Sequence, residues 1–312
     1  MKTQPHHELS LIARNSLLSL SLLFSATALA EEVVADKPVA ASPDKPAEVI
    51  VEKPMESAPI KPNQSNSASI GLSTMSDTSV PGQEVSQRDI PIAFAYETDK
   101  YVFEFSIPYI TRTAPSGKVA KSHHHESHKI ETNATGLPTT ILTTSGLGDI
   151  TTSFTYKLMN EEEAFLSLSA KGELKFGTAD VAVGLGTGVN DYFGELDASK
   201  SFGDLNFSVG LGYAILGSPG EIEINDVKKS IYFNNIFFGS VGAEYQLTEN
   251  FNLGVELAAG QATETGGSEQ RDVSITMSYS LTESQSVDFH AVRSLTPGVT
   301  SHTYGATFST AM

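Results

Sequence analysis

The 312-residue chain has no cysteine and no tryptophan. Without cysteine there is no disulfide framework and no thiol to carry a lipid anchor. No stretch approaches about 18 consecutive apolar residues, so the sequence offers no transmembrane helix. Basic residues are scarce, 20 Lys and Arg against 37 Asp and Glu, for a formal net charge of −17. That balance argues against nucleic acid as a partner. The mean hydropathy is slightly negative, which is no objection to a membrane barrel, because half of every strand in one faces water.

What is present begins with a leader. Lys2 and Arg14 precede the apolar run from Leu17 to Phe24, and Ala28-Leu29-Ala30 is followed by Glu31-Glu32. A basic n-region, a short h-region and an A-x-A site in this order predict a signal peptide over 1–30, cleaved after Ala30. Taking Lys2, Arg14 and Glu8 from the totals of 20 and 37 leaves 18 basic and 36 acidic residues, a formal −18. Residues 31–66 hold Lys37-Pro38, Pro43-Asp44-Lys45-Pro46, Lys53-Pro54 and Lys61-Pro62. Repeated Lys-Pro and Glu prevent a packed core and predict a disordered, extended tether.

From residue 67 to 312 the pattern changes to strict alternation. In the segment 164–176, Ala164, Leu166, Leu168, Ala170, Leu174 and Phe176 share one face, and Ser167, Ser169, Lys171, Glu173 and Lys175 share the other. A strand with one apolar and one wet side reads this way in a soluble sandwich and in a transmembrane barrel. Twelve such segments occur: 67–76, 89–98, 101–110, 147–158, 164–176, 190–201, 204–216, 233–247, 250–260, 271–281, 285–294 and 301–311. Their connections alternate in length. Thr98–Lys100, Asn160–Glu163, Gly203, Thr248–Asn250 and Glu283-Ser284 are short; 77–88, 111–146, 177–189, 217–232, 261–270 and 295–300 are long. Together with export, this predicts an all-β, antiparallel transmembrane barrel of about 12 strands in the bacterial outer membrane, with both termini in the periplasm. Its surroundings would then be outer-membrane lipid and lipopolysaccharide, and the barrel-assembly machinery would be its partner during biogenesis. Aromatic residues fit the same reading. Tyr96, Tyr101, Tyr156, Tyr245, Phe251 and Tyr279 stand beside the short turns on the apolar parity, and Tyr109, Phe176, Tyr192 and Tyr213 toward the long loops. Two such rings are the expected interfacial girdles.

The strand ends also carry a resemblance. Ala95-Tyr96-Glu97-Thr98-Asp99-Lys100-Tyr101 leads to Ile107-Pro108-Tyr109, followed by Gly146-Leu147-Gly148-Asp149-Ile150, Leu196 to Asp204, Leu211-Gly212-Tyr213-Ala214-Ile215-Leu216-Gly217 and Gly242-Ala243-Glu244-Tyr245-Gln246-Leu247. Over roughly 89–311 the chain resembles the outer-membrane barrel "transporter" family named for the MetA pathway of phenol degradation. The resemblance implies the barrel fold and a role in small-molecule passage. It implies no catalytic residues. Such barrels usually end on an aromatic residue, whereas this chain ends on Met312, whose parity matches Tyr304, Ala306 and Phe308.

The polar parity defines the expected lumen. Its acids are Glu97, Glu104, Asp149, Glu173, Glu195, Asp197, Glu244, Glu256, Asp272 and Asp288; its bases are Lys157, Lys171 and Lys175, with His290. Charges facing lipid near midplane would cost about 2–4 kcal/mol each, less for acids, so these must face inward. A lumen with this lining favours cations and neutral polar solutes over anions. Glu195 and Asp197 share a face, as paired acid/base carboxylates would, but on a barrel wall such pairs ordinarily line the lumen. Gly184-Leu185-Gly186-Thr187-Gly188 lacks the Lys-Ser/Thr and the helix of a phosphate loop, and reads as a flexible outer loop. His123, His124, His125 and His128, with Glu126, carry Zn²⁺ or Cu²⁺ ligand chemistry, though on a long loop with no framework that binding would be weak. His290 with Asp288 and a nearby Ser278 or Ser280 is too ordinary on a wet face to indicate an enzyme. The expectation is therefore a non-enzymatic channel, without cofactor, passing small molecules, aromatic or hydrophobic ones among them, by passive or facilitated diffusion. The alternative is a non-conducting structural or interaction barrel.

Overall fold

A computed structural model describes residues 64–77, 85–115, 141–224, 227–264, 266–297 and 299–312. The alternating segments form β1 (Ser65–Asp77), β2 (Val85–Glu97), β3 (Tyr101–Pro115), β4 (Ile141–Leu147), β5 (Ile150–Met159), β6 (Ser167–Phe176), β7 (Asp191–Phe202) and β8 (Leu205–Ile215). The series continues with β9 (Gly220–Ile224), β10 (Val227–Ile231), β11 (Ile236–Thr248), β12 (Phe251–Gly260), β13 (Gln270–Ser280), β14 (Gln285–Ser294) and β15 (Ser301–Ala311). All but β9 and β10 belong to one antiparallel sheet. That sheet closes on itself, because β1 pairs with β2 on one side and with β15 on the other, from Ser67↔Ala311 to Asp77↔Ser301. Closure leaves no edge for lipid to meet, which is the condition for strands in a bilayer.

β4 and β5 occupy one strand position. Both pair with β3, β4 along 109–115 and β5 along 101–106, and a break at Gly148-Asp149 separates them. The barrel thus has twelve strand positions, the number expected. The break has a purpose in the packing: the Gly148 N–H donates to Pro108 O (2.8 Å), and a Cβ on Gly148 would collide with Ile110 and Pro108.

The structure departs from the sequence reading at several boundaries: Ser65 and Asn66 already belong to β1, Asp77 and 85–88 lengthen β1 and β2 into the connection expected over 77–88, and 164–166 precede β6. The connection expected over 111–146 is shorter, since 111–115 and 141–146 belong to β3 and β4. The connection expected over 217–232 contains the hairpin β9–β10. Otherwise the alternation of lengths holds among the described connections. At one end lie the turns Thr98–Lys100, 160–166, Gly203-Asp204, 249–250 and 281–284; at the other lie 177–190, 216–235, 261–269 and 295–300. Gly203 is the tightest of the turns, with φ +64, a conformation glycine adopts without steric penalty.

Facing follows parity throughout. Phe94, Phe154, Leu196, Val209, Val255, Ile275, Met277 and Phe289 are each between 40 and 54% exposed, on the outer wall. A soluble protein would not leave such a belt uncovered; a bilayer covers it. Tyr96, Tyr101, Tyr156, Tyr245, Phe251 and Tyr279 ring the short-turn end of this belt. Tyr101 packs on Tyr96 and on Phe154, with ring centroids 6.1 and 5.8 Å apart. Met312 is 71% exposed, and its N–H donates to Asn66 O at 2.8 Å.

Candidate functional site: the barrel lumen

The inward parity encloses a cavity of about 500 Å³ that runs from the long-loop end past the barrel's middle. It is lined by Glu104, Asp149, Lys171, Glu173, Lys175, Asp197, Glu244, Glu256, Asp272, Asp288 and His290, among others. Three further inward charges stand off it. Glu97 and Lys157 pair with each other at 2.6 Å near the short turns, where Lys157 also donates to Thr98 O at 3.1 Å. Glu195 is buried on the wall beside Asp197 and Lys171.

The charges sort into two walls. On β3 to β7 acids and bases are interleaved. Lys171 pairs with Glu173 (3.3 Å) and faces Glu104 and Glu195, and the Ser153 hydroxyl donates to Glu104 at 2.8 Å. On β11 to β15 the inward positions hold Glu244, Glu256, Asp272, Asp288 and His290, with no lysine or arginine. Gln270 Nε2 donates to Asp272 at 2.8 Å. Glycines keep this second wall thin: Gly242 and Gly254 project nothing into the space, and His290 lies flat over Gly305 of the neighbouring strand, where any Cβ would strike its ring. An acidic wall facing a mixed wall gives the lumen a net negative interior.

At the long-loop end, the segment 177–190 folds into the barrel instead of away from it. Lys175 holds both of its ends. Its ammonium pairs with Asp191 at 2.6 Å and Asp149 at 3.3 Å, and reaches Thr187 Oγ1 at 3.5 Å. Asp149 in turn accepts from the Ala179 N–H (2.9 Å), and Asn190 Oδ1 accepts from the Gly177 N–H (3.0 Å). Arg112, 3% exposed, donates to Gly184 O at 3.3 Å with Asp77 and Asp89 nearby. Ala179, Val183 and Leu185 pack on Ile110, and Gly146 is a glycine where Leu185 presses against the wall. The Gly184–Gly188 stretch is therefore an ordered inward loop, not a flexible outer one. Its apolar residues turn inward because Ile110 offers them a dry surface.

Sequence reasoning missed four members of this arrangement. Asp77 lies one residue past the expected end of β1 and Arg112 two residues past that of β3, while Asp89 lies within the expected β2 on the parity of Glu97, which would have found it. Asp191 shares the parity of Glu195 and Asp197, which would have found it. Beside the inward loop, Met75, Ile110, Leu185, Leu216 and Phe233 line the cavity, so its mouth sets apolar side chains next to the Lys175 ion pairs while its middle is polar. A second apolar cluster, Ala214, Ile236 and Phe238 with Phe193 and Leu216, stiffens the wall beside it. The histidines at 123, 124, 125 and 128 lie outside the described residues. Among the described residues no group of three His, Asp or Glu side chains is arranged to hold a metal.

Comparison with solved structures finds the same architecture. An outer membrane channel from Pseudomonas putida F1 superposes with a TM-score of 0.59 at 13% identity, over 84% of this chain and 100% of that one. The transport unit of the autotransporter AIDA-I from Escherichia coli superposes with a TM-score of 0.52 at 10% identity, over 84% of this chain and 93% of its own. No curated protein matches the chain. The sequence signature of the family described as "Putative MetA-pathway of phenol degradation" matches residues 124–312, all but the first three strands of the barrel. The chain belongs to that family of outer-membrane barrels.

Proposed function

We propose that the barrel is a channel for small neutral or cationic molecules, phenol-sized aromatics included, which cross by diffusion through the lumen. The single observation that carries this reading is the cavity: apolar side chains at Met75, Ile110, Leu185, Leu216 and Phe233, beside the Lys175 ion pairs at the mouth, open onto a net acidic middle. Apolar side chains at the mouth hold an aromatic ring, and serines, threonines and carboxylates below replace the water around its hydroxyl. The family's name and the channel function of the Pseudomonas putida barrel support it. Anions such as a benzoate meet the acidic wall of β11 to β15 and are disfavoured.

The proposed orientation puts the short turns and both termini in the periplasm and the long loops outside, which is the usual asymmetry of bacterial barrels. The leader over 1–30 and the Pro-rich segment ahead of β1 fit that orientation, as does insertion by the barrel-assembly machinery. The inward loop 177–190 favours a second reading, a non-conducting structural barrel, because it narrows the mouth.

Planar-bilayer recording separates the two. The channel reading expects conductance, a reversal potential favouring cations under a salt gradient, and liposome swelling with phenol faster than with benzoate. Silence in the bilayer would leave the structural reading. An epitope at Glu126 is expected to label intact cells, and labelling only after permeabilisation would reverse the orientation.

A further inference from the structure

The apolar belt ends differently on two arcs of the barrel. Eight residues along a strand tilted about 40° rise about 20 Å, close to the height of the apolar band. Counted from the aromatic at the short-turn end, eight residues lead from Tyr101 to Tyr109 on β3 and from Tyr245 to Phe237 on β11. On that arc the far boundary is aromatic, with Tyr109, Tyr192, Tyr213 and Phe237 all exposed and Tyr213 packed on Phe237 at 4.6 Å. On the other arc the same count leads from Tyr96 to Arg88 on β2, and from Tyr279 to Arg271 on β13. Between them, Arg293 on β14 stands opposite Val273 of β13 and His302 of β15.

All three arginines are on the outward parity and exposed. The whole sequence has five arginines, of which Arg14 lies in the leader and Arg112 in the lumen. The remaining three thus sit at one boundary on one arc. Among the described residues Arg88 and Arg293 have no carboxylate partner, and Arg271 has only Glu269, 3.3 Å away with both side chains more than half exposed. A pair that exposed contributes little and yields readily to a stronger anion. His302 lies against Tyr304 with ring centroids 5.5 Å apart, filling the interval between Arg293 and Arg88 with an amphipathic surface. Directly below are Ile90, Ile92, Ile275 and Phe289, each exposed to hydrocarbon.

We propose that this cationic arc binds the phosphate groups of the outer-leaflet glycolipid, with its acyl chains on the apolar residues beneath. The proposal rests on the orientation given above, which sets this boundary in the outer leaflet. Guanidinium forks match phosphate oxygens in pairs, and at the headgroup boundary they do so in reduced dielectric. Four strand spacings separate β13 from β2, about 19 Å, so the arc spans a headgroup carrying more than one phosphate. The rest of the protein is strongly acidic, which makes an isolated cationic arc a selective place for such a lipid.

The test uses the folded mature protein in detergent. The probes are bis-phosphorylated lipid A, the same lipid with its phosphates removed, and phosphatidylglycerol, with retention read by native mass spectrometry. Wild type is expected to retain the phosphorylated lipid A at least about tenfold better than either control. Replacing Arg88, Arg271 and Arg293 with Gln should weaken retention about fivefold each and about 100-fold together, at about one charge contact per arginine. Replacement of all three by Lys should restore most of it. Heat-modifiable gel migration checks that the triple variant is folded, and the single Arg88→Gln gives the same reading at one exposed position if it is not. Equal retention of dephosphorylated lipid, equal retention of phosphatidylglycerol, or an unchanged triple-Gln variant would overturn the proposal. Conductance is read separately, since none of the three faces the lumen. Its absence in wild type overturns the channel reading alone, and a periplasmic epitope at Glu126 overturns the lipid site alone.

Discussion

Lys175 is the side chain on which the inward loop depends most, and its removal gives a worked test of the lumen. The Lys175 side chain is 5% exposed, and its ammonium lies between the carboxylates of Asp149 and Asp191, whose side chains are 12 and 9% exposed. Lys175→Met keeps the length and removes the charge. Asp191 remains where it is, because the Gly217 N–H outside the loop holds it at 2.9 Å. Breaking a buried pair in this way costs about 3–5 kcal/mol, since the uncompensated charge stays behind. The cavity offers these carboxylates some water, so the lower end, about 3 kcal/mol, is expected. Converting the two carboxylates as well, in Lys175→Met/Asp149→Asn/Asp191→Asn, removes the stranded charges and should return stability to within about 1 kcal/mol of wild type. The assay is a urea titration scored by the folded band on unheated gels, with single-channel recording in parallel. The single variant should show a lower midpoint and, with the loop released from the mouth, a larger conductance. A single variant with an unchanged midpoint, or a triple variant as unstable as the single, would refute this account of the loop.

Three further outcomes follow from the same geometry. Ile275 is midway between Tyr279 and Arg271 on the lipid face, so Ile275→Arg should cost about 2–4 kcal/mol and deplete the folded band; Ser274→Arg, inward and opposite Glu256, should leave it intact, and equal damage from the two would contradict the facing. Gly212→Val drives a side chain into the Phe238 ring and should cost about 1–3 kcal/mol, whereas Gly194→Val meets nothing within 4 Å and should be silent in the same urea titration. In the turn after β5, the Lys200 ammonium at 2.7 Å hydrogen-bonds the Glu161 carboxyl and holds it below its usual range, with the Ser201 N–H assisting. A depressed carboxyl contributes above its ordinary range and loses that contribution as pH falls through its lowered one. The urea midpoints of wild type and Glu161→Gln should thus differ near neutral pH and converge in acid; a gap that survives acid would disprove the link.

The barrel was legible because its physics is repetitive. Each strand must satisfy lipid on one side and water on the other, so period two recurs for the length of the membrane, and a charged residue betrays its facing. The twelve segments read from the sequence fall on the twelve strand positions, with ends displaced by a few residues. The misses have separate causes. Across Gly148-Asp149 the exposed positions switch from odd (Ile141, Thr143, Leu147) to even (Phe154, Tyr156), so β4 does not continue the alternation of β5 and reads as loop. Glu221-Ile222-Glu223-Ile224 and Val227 to Ile231 do alternate around Asn225-Asp226, a turn signal, and the hairpin was there to be read.

The inward loop is a different kind of miss. Glycine at 184, 186 and 188 suggests freedom, and nothing within 177–190 states which way the segment turns. Direction is set by its anchors: Arg112 on β3, Asp149 after β4, Lys175 at the end of β6 and Asp191 at the start of β7. These residues come together only when β3, β5, β6 and β7 have paired, with Lys175 opposite Asp191. A loop that depends on such contacts can form only after the wall, and its apolar side chains must leave water last. That order also explains why the ion pairs concentrate here. A segment of this size buries only Ala179, Val183 and Leu185 against Ile110, too little apolar surface to offset the ordering of its backbone unaided. Directional charge contacts from three strand ends supply the difference and set a single position for the loop. By the same reasoning, substitutions at those four anchors should change conduction together with the urea midpoint.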